Sequence, residues 1–177
     1  MTSDYLASVR KQLKYYKSLA EKTFSQLSDE SLIWQYNAES NSIATIIKHL
    51  RGNMLSRWTN FLTSDGEKES RRRDEEFVND IQSRDELIAL WNEGWQCVFD
   101  TLDSLLPQDL SKEIFIRAQS YSAMDAINRQ LAHYAYHVGQ IVFIGKMACN
   151  DRWNSLTIPR GKSAEYNAEK FGDKNRK

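Results

Sequence analysis

The sequence predicts an all-α fold, a four-helix bundle with up-down-down-up order and a long crossover between its second and third helices. The 177-residue chain has only seven Gly and two Pro, which favours long helices over many short strands and turns. Apolar residues recur at three- and four-residue steps through four long segments. A polar stretch of about 20 residues separates the second segment from the third, which is long for a connection between helices.

The first two helices are predicted from apolar stripes with polar ends. The first runs from about Ser3 to Leu27. The polar segment SDESLIWQYNAESNS follows it, with a short turn of helix expected at its start. The second helix begins after Asn41-Ser42, which are good capping residues, and ends near residues 63–66. Each helix is expected to bury one face.

The third helix opens with the capping-box pattern of Ser83 to Glu86 and continues to Leu106, just before Pro107. The polar segment in front of it can span a whole bundle, because an extended chain covers about 3.3 Å per residue. We therefore expect a crossover that leaves the second and third helices parallel.

The fourth helix is predicted from about Ala123 to Cys149, with Ser122 as its cap. The β-rich run 114–116 before it is expected to be extended. No repeat or low-complexity linker divides the chain. Residues 1–177 are therefore expected to form a single domain, with an irregular, polar tail from about residue 150.

Composition excludes several classes of function. Lys plus Arg equal Asp plus Glu, 24 against 24, so we expect no nucleic-acid partner. Three arginines at 71–73 stand among acids in DGEKESRRRDEE, which we interpret as a solvated, self-compensating loop rather than a phosphate-binding patch. No run of about 18 apolar residues suggests a membrane span, and no signal-peptide pattern is visible. Cys97 and Cys149 form no disulfide or CxxC motif, so a reducing cytoplasm is expected.

The chain has three histidines, and two of them, His133 and His137, lie four residues apart in HYAYH. On a helix their Cβ atoms lie about 5–6 Å apart, which fits metal ligands as well as a structural histidine pair. The third histidine, His49, lies in IIKHLRGN on the second helix. Viewed along each helix, His49 lies to the same side of its apolar stripe as His133 and His137 lie of the apolar stripe of the fourth helix. Since the second and fourth helices are expected to be antiparallel, all three histidines can converge on one metal ion.

Three neutral imidazoles suit Zn²⁺, Ni²⁺ or Fe²⁺ and leave a coordination position for water or substrate. Each ligand also needs an acceptor that orients its other ring nitrogen. Asn53, Gln130 and Gln140 are candidates for this role, and they equally fit polar residues at the edge of a core.

The histidine pattern resembles that of the DinB/YfiT-like superfamily of metal-binding four-helix proteins. The resemblance rests on His49 and on the HxxxH of His133 and His137, followed by GQI. More narrowly, IIKHLRGNM, SDGEKESRRRDEEF, HYAYHVGQIV and WNSLTIPRGKS resemble a bacterial branch labelled a domain of unknown function. The resemblance covers nearly the whole chain. It implies the crossover bundle, a homodimer and a three-histidine site for a divalent metal.

For activity, the superfamily implies thiol transferases that use bacillithiol, mycothiol or glutathione, a mycothiol-dependent isomerase, and proposed hydrolases. A zinc hydrolase needs a general base, but only Tyr134, Ala135 and Tyr136 stand between the paired histidines. We therefore favour metal-dependent transfer of a low-molecular-weight thiol to a small-molecule substrate. A metal-dependent hydrolase and a non-catalytic metal-binding stress or interaction protein are the alternatives, and no catalytic residue is assigned.

The tail WNSLTIPRGKS offers two interpretations. Trp153, Arg160 and Lys162 can fold over the site and bind the carboxylates of a thiol cofactor, since arginine pairs well with planar anions. Alternatively the tail is a surface segment that packs its apolar residues and leaves its charges in water.

Overall fold

The computed structural model describes residues 2–172, and that part of the chain is mostly helical, as predicted. The four helices expected from the sequence correspond to α1, α3, α4 and α5 below. Within the described residues, the α-helices are Thr2–Phe24 (α1), Asp29–Ile33 (α2), Ile43–Trp58 (α3), Arg84–Ser104 (α4), Ala123–Cys149 (α5) and Ser163–Gly172 (α6). Short 3₁₀ turns cover Asp74–Phe77, Pro107–Ser111 and Asn150–Arg152, and strands Glu113–Ile116 (β1) and Gln119–Ser122 (β2) form a hairpin.

Serine side chains cap the three later long helices, as the sequence predicts. Ser42, Ser83 and Ser122 each accept a hydrogen bond from the backbone N–H three residues further on, at 3.0, 3.2 and 3.0 Å. Each bond satisfies an amide that the first helical turn leaves without a partner. The end of α3 differs from the prediction, because α3 stops at Trp58 and Asn60 then takes a left-handed backbone with φ 51°.

Hydrogen bonds between α3 and α4 show that these two helices run in the same direction. Arg51 donates to Glu93 at 2.8 Å. Two turns later along both helices, the Thr101 hydroxyl donates to the Trp58 carbonyl at 3.1 Å. A connection between parallel neighbouring helices has to run back along their length. Residues 59–83 form this connection, and we call them the crossover segment.

The first and last long helices are also parallel to each other. The Tyr5 hydroxyl donates to the Met124 carbonyl near the starts of α1 and α5, and the Cys149 thiol donates to the Gln26 carbonyl near their ends. The first residue of α4, Arg84, donates to backbone carbonyls at the end of α1, so α1 and α4 run in opposite directions. It follows that α3 and α5 are antiparallel.

Large aromatic side chains fill the interior between the long helices. Trp58, Trp91, Trp95 and Tyr134 are at most 2% exposed. Trp58 Nε1 donates to the Tyr134 hydroxyl at 2.7 Å, which gives two buried polar groups a partner. This bond joins the last residue of α3 to the residue that follows His133 on α5.

The crossover segment packs against α3, which corrects one prediction. The side chains of Arg71 and Glu76 are only 4% and 7% exposed, and two hydrogen bonds of 2.7 and 2.9 Å join them. The interpretation of the arginine run as a solvated loop is therefore wrong for Arg71, because its charge is neutralised by an acid in the interior. Arg72 and Arg73 are exposed, as expected.

The hairpin is tied to the start of the crossover segment. Its turn passes through Arg117 and Ala118, which have left-handed backbones with φ 55° and 58°. Asp65 accepts a hydrogen bond from each of their backbone N–H groups at 2.8 Å. The extended run 114–116 is confirmed, whereas its partner β2 was not predicted.

The segment after residue 150, expected to be irregular, contains the ten-residue helix α6. All residues of α6 are exposed, so this helix lies outside the core. Among residues 2–172, no helix combines the length and the apolar character that crossing a bilayer requires.

Candidate metal centre

The three histidines meet between α3 and α5 with their Nε2 atoms facing one another. Nε2 of His133 lies 3.3 Å from Nε2 of His49 and 3.1 Å from Nε2 of His137. Nitrogens that bind one cation at about 2.0–2.1 Å stand roughly 2.8–3.4 Å apart for octahedral or tetrahedral angles. The structure thus brings together the three residues predicted to share a site, and the group could hold a metal ion.

A buried ion pair from the crossover segment orients His49. Its Nδ1 lies 2.9 Å from Oε2 of Glu76, which also accepts hydrogen bonds from Arg71. Because a carboxylate only accepts, Nδ1 carries a proton, and in the neutral imidazole Nε2 then presents a lone pair. Gly52 makes room for this carboxylate, since a Cβ at that position would overlap Oε1 of Glu76. A carboxylate behind an imidazole is typical of histidines that bind metals.

The two histidines of α5 are held differently from His49. Nδ1 of His137 lies 2.8 Å from Oε1 of Gln140, one turn further along the helix. With that amide oxygen as the acceptor, Nε2 of His137 also presents a lone pair. Nδ1 of His133 is buried and has no hydrogen-bond partner among the described residues. Lone pairs directed at one point repel each other, so this arrangement is favourable around a cation.

The environment keeps the imidazoles of α5 in the form that binds metals. Burial lowers the pKa of His133 to about 3 and that of His137 to about 4, and repulsion from the neighbouring imidazoles adds to both shifts. Both rings are therefore neutral at pH 7. For Glu76, burial raises the pKa, but hydrogen bonds from Arg71 and His49 outweigh burial and hold it below its ordinary value.

A cavity of about 380 Å³, which we call the histidine cavity, opens beside the three rings. Pockets of this size hold small molecules. Within the described part of the chain, no Asp or Glu lines it. Besides the histidines, its lining consists of Arg57, Arg71, Arg73, Arg117, Arg129, Asn53, Phe77, Gln130 and Tyr136.

The amides expected to orient the ligands have different roles. Gln140 contacts His137, as described above. Asn53 lines the cavity, but its side-chain oxygen accepts a hydrogen bond from the Tyr134 hydroxyl at 3.3 Å. Gln130 is 2% exposed and lines the cavity, and its Oε1 has no partner within residues 2–172. The acceptor that orients His49 comes instead from the crossover segment.

The structure does not bring Trp153, Arg160 and Lys162 to the histidine cavity. Trp153 packs beside Gly145, at the far end of α5 from the histidines. Lys162 forms an ion pair with the first turn of α6, and Arg160 is exposed. The end of α5 carries the tail away from the site, so the anion-binding role expected for these residues finds no support.

Sequence reasoning missed Glu76 as the partner of His49 and missed the arginines of the cavity. The available signal was the close mixture of acids and arginines in residues 65–76. That mixture fits a buried ion-pair network as well as it fits a solvated loop. Phe77 directly after the acids was a second signal, because it interrupts the polar run with an aromatic ring, which stacks on His49 at 5.1 Å between centroids.

Fold and site together define a mostly helical protein with a three-histidine group that could hold a metal ion. The chain belongs to the family described as Protein of unknown function (DUF1572), whose model matches residues 1–162. The matched range includes all three histidines and the crossover segment and ends before α6. Comparison with curated proteins and with solved structures found no match.

Proposed function

We propose that this protein is a divalent-metal protein of the DinB/YfiT-like kind that transfers a low-molecular-weight thiol to a small-molecule electrophile. The observation that carries the proposal is the meeting of three imidazole Nε2 atoms beside a cavity. Three protein ligands leave a coordination position open, as catalytic metal sites do and closed structural sites do not.

His49, His133 and His137 would hold the ion through Nε2. Three neutral nitrogen donors suit Zn²⁺ or Ni²⁺ best, with Fe²⁺ as the third candidate. When bound, the ion supplies a Lewis acid that stabilises the thiolate form of a coordinated thiol. The protein's own part is to keep the rings of His133 and His137 neutral and to fix the rings of His49 and His137 through Glu76 and Gln140.

The lining of the cavity favours thiol transfer over hydrolysis. Among the described residues it contains no carboxylate that could serve as a general base, and Glu76 is engaged by His49 and Arg71. In the transfer, the sulfur forms a bond to the electrophilic atom, and the leaving group departs together with the proton that the thiol gives up. The thiol has to enter from solution, because neither Cys97 nor Cys149 lines the cavity, and burial raises the pKa of Cys97.

We also propose that α1, α3, α4 and α5 form the up-down-down-up bundle of this superfamily. The parallel pairs α3–α4 and α1–α5, and the antiparallel pair α1–α4, support this arrangement. The homodimer is proposed from the same resemblance. A partner would cover an exposed aromatic and aliphatic face formed by Trp34, Tyr36, Phe143 and Met147, which are 36–73% exposed.

Metal content tests the first half of the proposal. The purified chain and the triple variant His49→Ala, His133→Ala, His137→Ala are dialysed against equal Zn²⁺ or Ni²⁺ and measured by elemental analysis. We expect about one ion per chain in the parent and none above background in the variant. Tyr136→Phe is the matched control, because Tyr136 lines the cavity without offering a histidine nitrogen. Equal metal content in parent and triple variant overturns the shared site.

Turnover tests the second half. The metal-loaded protein is mixed with low-molecular-weight thiols and a panel of electrophiles, and separately with esters and amides. Thioether formation that requires the three histidines supports thiol transfer. Hydrolysis without thiol consumption supports the hydrolase alternative, and tight metal binding without turnover in either panel supports a non-catalytic protein.

A further inference from the structure

The histidine cavity is lined by a cluster of positive charges in addition to the three histidines. Five arginines line it, and they come from α3, the crossover segment, the hairpin turn and α5. No acidic residue among those that the structure describes shares the lining. A cavity walled by one sign of charge concentrates ligands of the opposite sign.

Two of these arginines have buried side chains that are already paired with acids. Arg57 donates to Glu67 at 2.9 Å, and Arg71 donates to Glu76 through two hydrogen bonds. Their side chains are 5% and 4% exposed. A buried charge needs such a partner, so these two pairs serve the fold.

Two further arginines are positioned by aromatic rings and keep most of their donors free. The guanidinium of Arg73 stacks over Phe77 at 5.3 Å, and that of Arg129 stacks over Tyr121 at 5.5 Å. Arg129 also donates one hydrogen bond to the Tyr121 hydroxyl at 3.0 Å. Since a guanidinium has five N–H donors, these contacts orient the group without exhausting it.

The fifth arginine, Arg117, lies at the hairpin turn, where Asp65 holds its backbone. Its side chain is 58% exposed and shares Glu67 with Arg57. Glu67 and Glu76 together balance only two of the five guanidinium charges. The guanidiniums that line the cavity therefore outnumber the carboxylates paired with them by three.

Two buried polar atoms also lack partners at this place. Nε of Arg57 and Oε1 of Gln130 have no hydrogen-bond partner among residues 2–172. Both residues line the cavity, and they are 5% and 2% exposed. A buried donor without a partner, such as Nε of Arg57, is rare in proteins and is typical of a position where a ligand or an ordered water completes the bonding. Oε1 of Gln130 is an acceptor, so it would bind a hydroxyl group or a water rather than the anion itself.

We propose that the histidine cavity selects small molecules that carry at least two negative charges on carboxylate or phosphate groups. Arg73 and Arg129 bind one anionic group through the guanidinium N–H groups that their other contacts leave available, and Arg117 contributes the third positive charge. This inference deepens the proposed function, since it places the reacting end of the substrate at the histidines. The anion subsite itself depends on the arginines and not on the metal.

The test is calorimetric titration of the full chain with succinate, inorganic phosphate and acetate, in metal-free and metal-loaded forms. The variants are Arg73→Gln, Arg129→Gln and their combination. Arg72→Gln is the matched control, because Arg72 is exposed and adjacent in sequence but lines a different cavity. Arg73→Lys keeps the positive charge and removes the planar guanidinium with its paired N–H donors. Thermal unfolding of each variant checks that it folds.

We expect succinate or phosphate to bind the parent more tightly than acetate, and the Kd of the dianion to rise about tenfold for each arginine removed. Arg72→Gln should leave this Kd unchanged, and Arg73→Lys should weaken binding less than Arg73→Gln. The tighter of the two dianions identifies the group that is recognised. Equal binding of acetate and dianions, or an equal loss in Arg72→Gln, overturns the proposal. Metal content is measured in parallel, so a failure of the metal site is distinguished from a failure of the anion subsite.

Discussion

Helix α5 and the crossover segment both supply groups to the histidine site, but they hold them by different means. In α5, His133, His137 and Gln140 lie within eight residues, and the helical repeat alone places them on adjoining positions. The crossover segment reaches His49 from 27 positions away, through the buried pair of Glu76 and Arg71. The helix supplies two histidines and one neutral acceptor, whereas the segment supplies a charged acceptor and its counter-ion.

The difference shows that one site can combine a locally encoded half with a half that depends on tertiary structure. Substitution of His133, His137 or Gln140 on α5 should change metal binding and leave the fold intact. Substitutions around Glu76 should change both, because breaking the pair leaves a buried charge, either Glu76 or Arg71, without its partner. The following experiments test this contrast, from the largest expected effect to the smallest.

Glu76→Ala should have the largest effect. It leaves the Arg71 guanidinium with only a longer contact of 3.4 Å to Glu67, so the free energy of unfolding should fall by about 3 kcal/mol. It also frees Nδ1 of His49, so metal affinity should fall by about 10–100-fold. Urea unfolding and competitive metal titration measure the two quantities. Glu75→Ala, at the exposed neighbouring position, should leave both within error. A Glu76→Ala protein with normal stability would show that the pair of Glu76 and Arg71 does not stabilise the crossover segment.

Gly52→Ala should lower both metal affinity and stability, with a smaller loss of stability than Glu76→Ala. The added Cβ occupies the space of the Glu76 carboxylate and should displace it from His49, with about a tenfold loss of metal affinity. The greater helix propensity of alanine offsets part of the destabilisation, by about 1 kcal/mol. In the control Gly139→Ala, on α5, an added Cβ meets nothing within 4 Å, so that variant should become slightly more stable and bind metal normally. Unchanged metal affinity in Gly52→Ala would contradict the close approach of Glu76.

Gln140→Ala should affect metal binding alone. His137 loses the acceptor that fixes its ring, so affinity should fall by about tenfold. The free energy of unfolding should change by no more than about 0.5 kcal/mol, because no buried charge loses a partner. Comparing this variant with Glu76→Ala in the same two assays tests the contrast directly. A destabilisation as large as that of Glu76→Ala would remove the distinction between the two regions.

The two regions should also respond to acid at different pH values. The pKa of His133 and His137 falls from 6.5 in the unfolded chain to about 3 and about 4 in the fold. Below pH 6.5 the unfolded state therefore binds more protons, and metal-free protein should lose stability as the pH falls from 6.5 toward 4. The pKa of Glu76 lies below 4.5, so its contribution should be lost only at lower pH.

Urea unfolding of chelator-treated protein between pH 7 and pH 4.5 measures this response. The double variant His133→Ala, His137→Ala should show a flatter dependence of stability on pH over that range. A dependence as steep as that of the parent would mean that other groups cause the loss.

The sequence allowed the helices and the grouping of the histidines to be predicted because both depend on short-range periodicity. Serine caps at 42, 83 and 122 and the four-residue spacing of the α5 histidines are visible in the order of residues. The contact of Glu76 with His49 is not visible in the order of residues, because no local pattern indicates which charged residue of a mixed run becomes buried. Strand β2 was missed for a similar reason, since its sequence QSYS carries no apolar alternation and pairs through its backbone with β1.

The 3₁₀ turn over Asp74–Phe77 makes the connection sensitive to its own length. One residue more or fewer between Arg71 and Glu76 would rotate the carboxylate by about 120° and point it away from α3. A designer who transplants α3 and α5 alone onto another helical scaffold would carry over every ligand and leave the His49 ring free to turn. The smallest part of the chain that would transfer this site to another scaffold is therefore α3 and α5 together with the crossover segment.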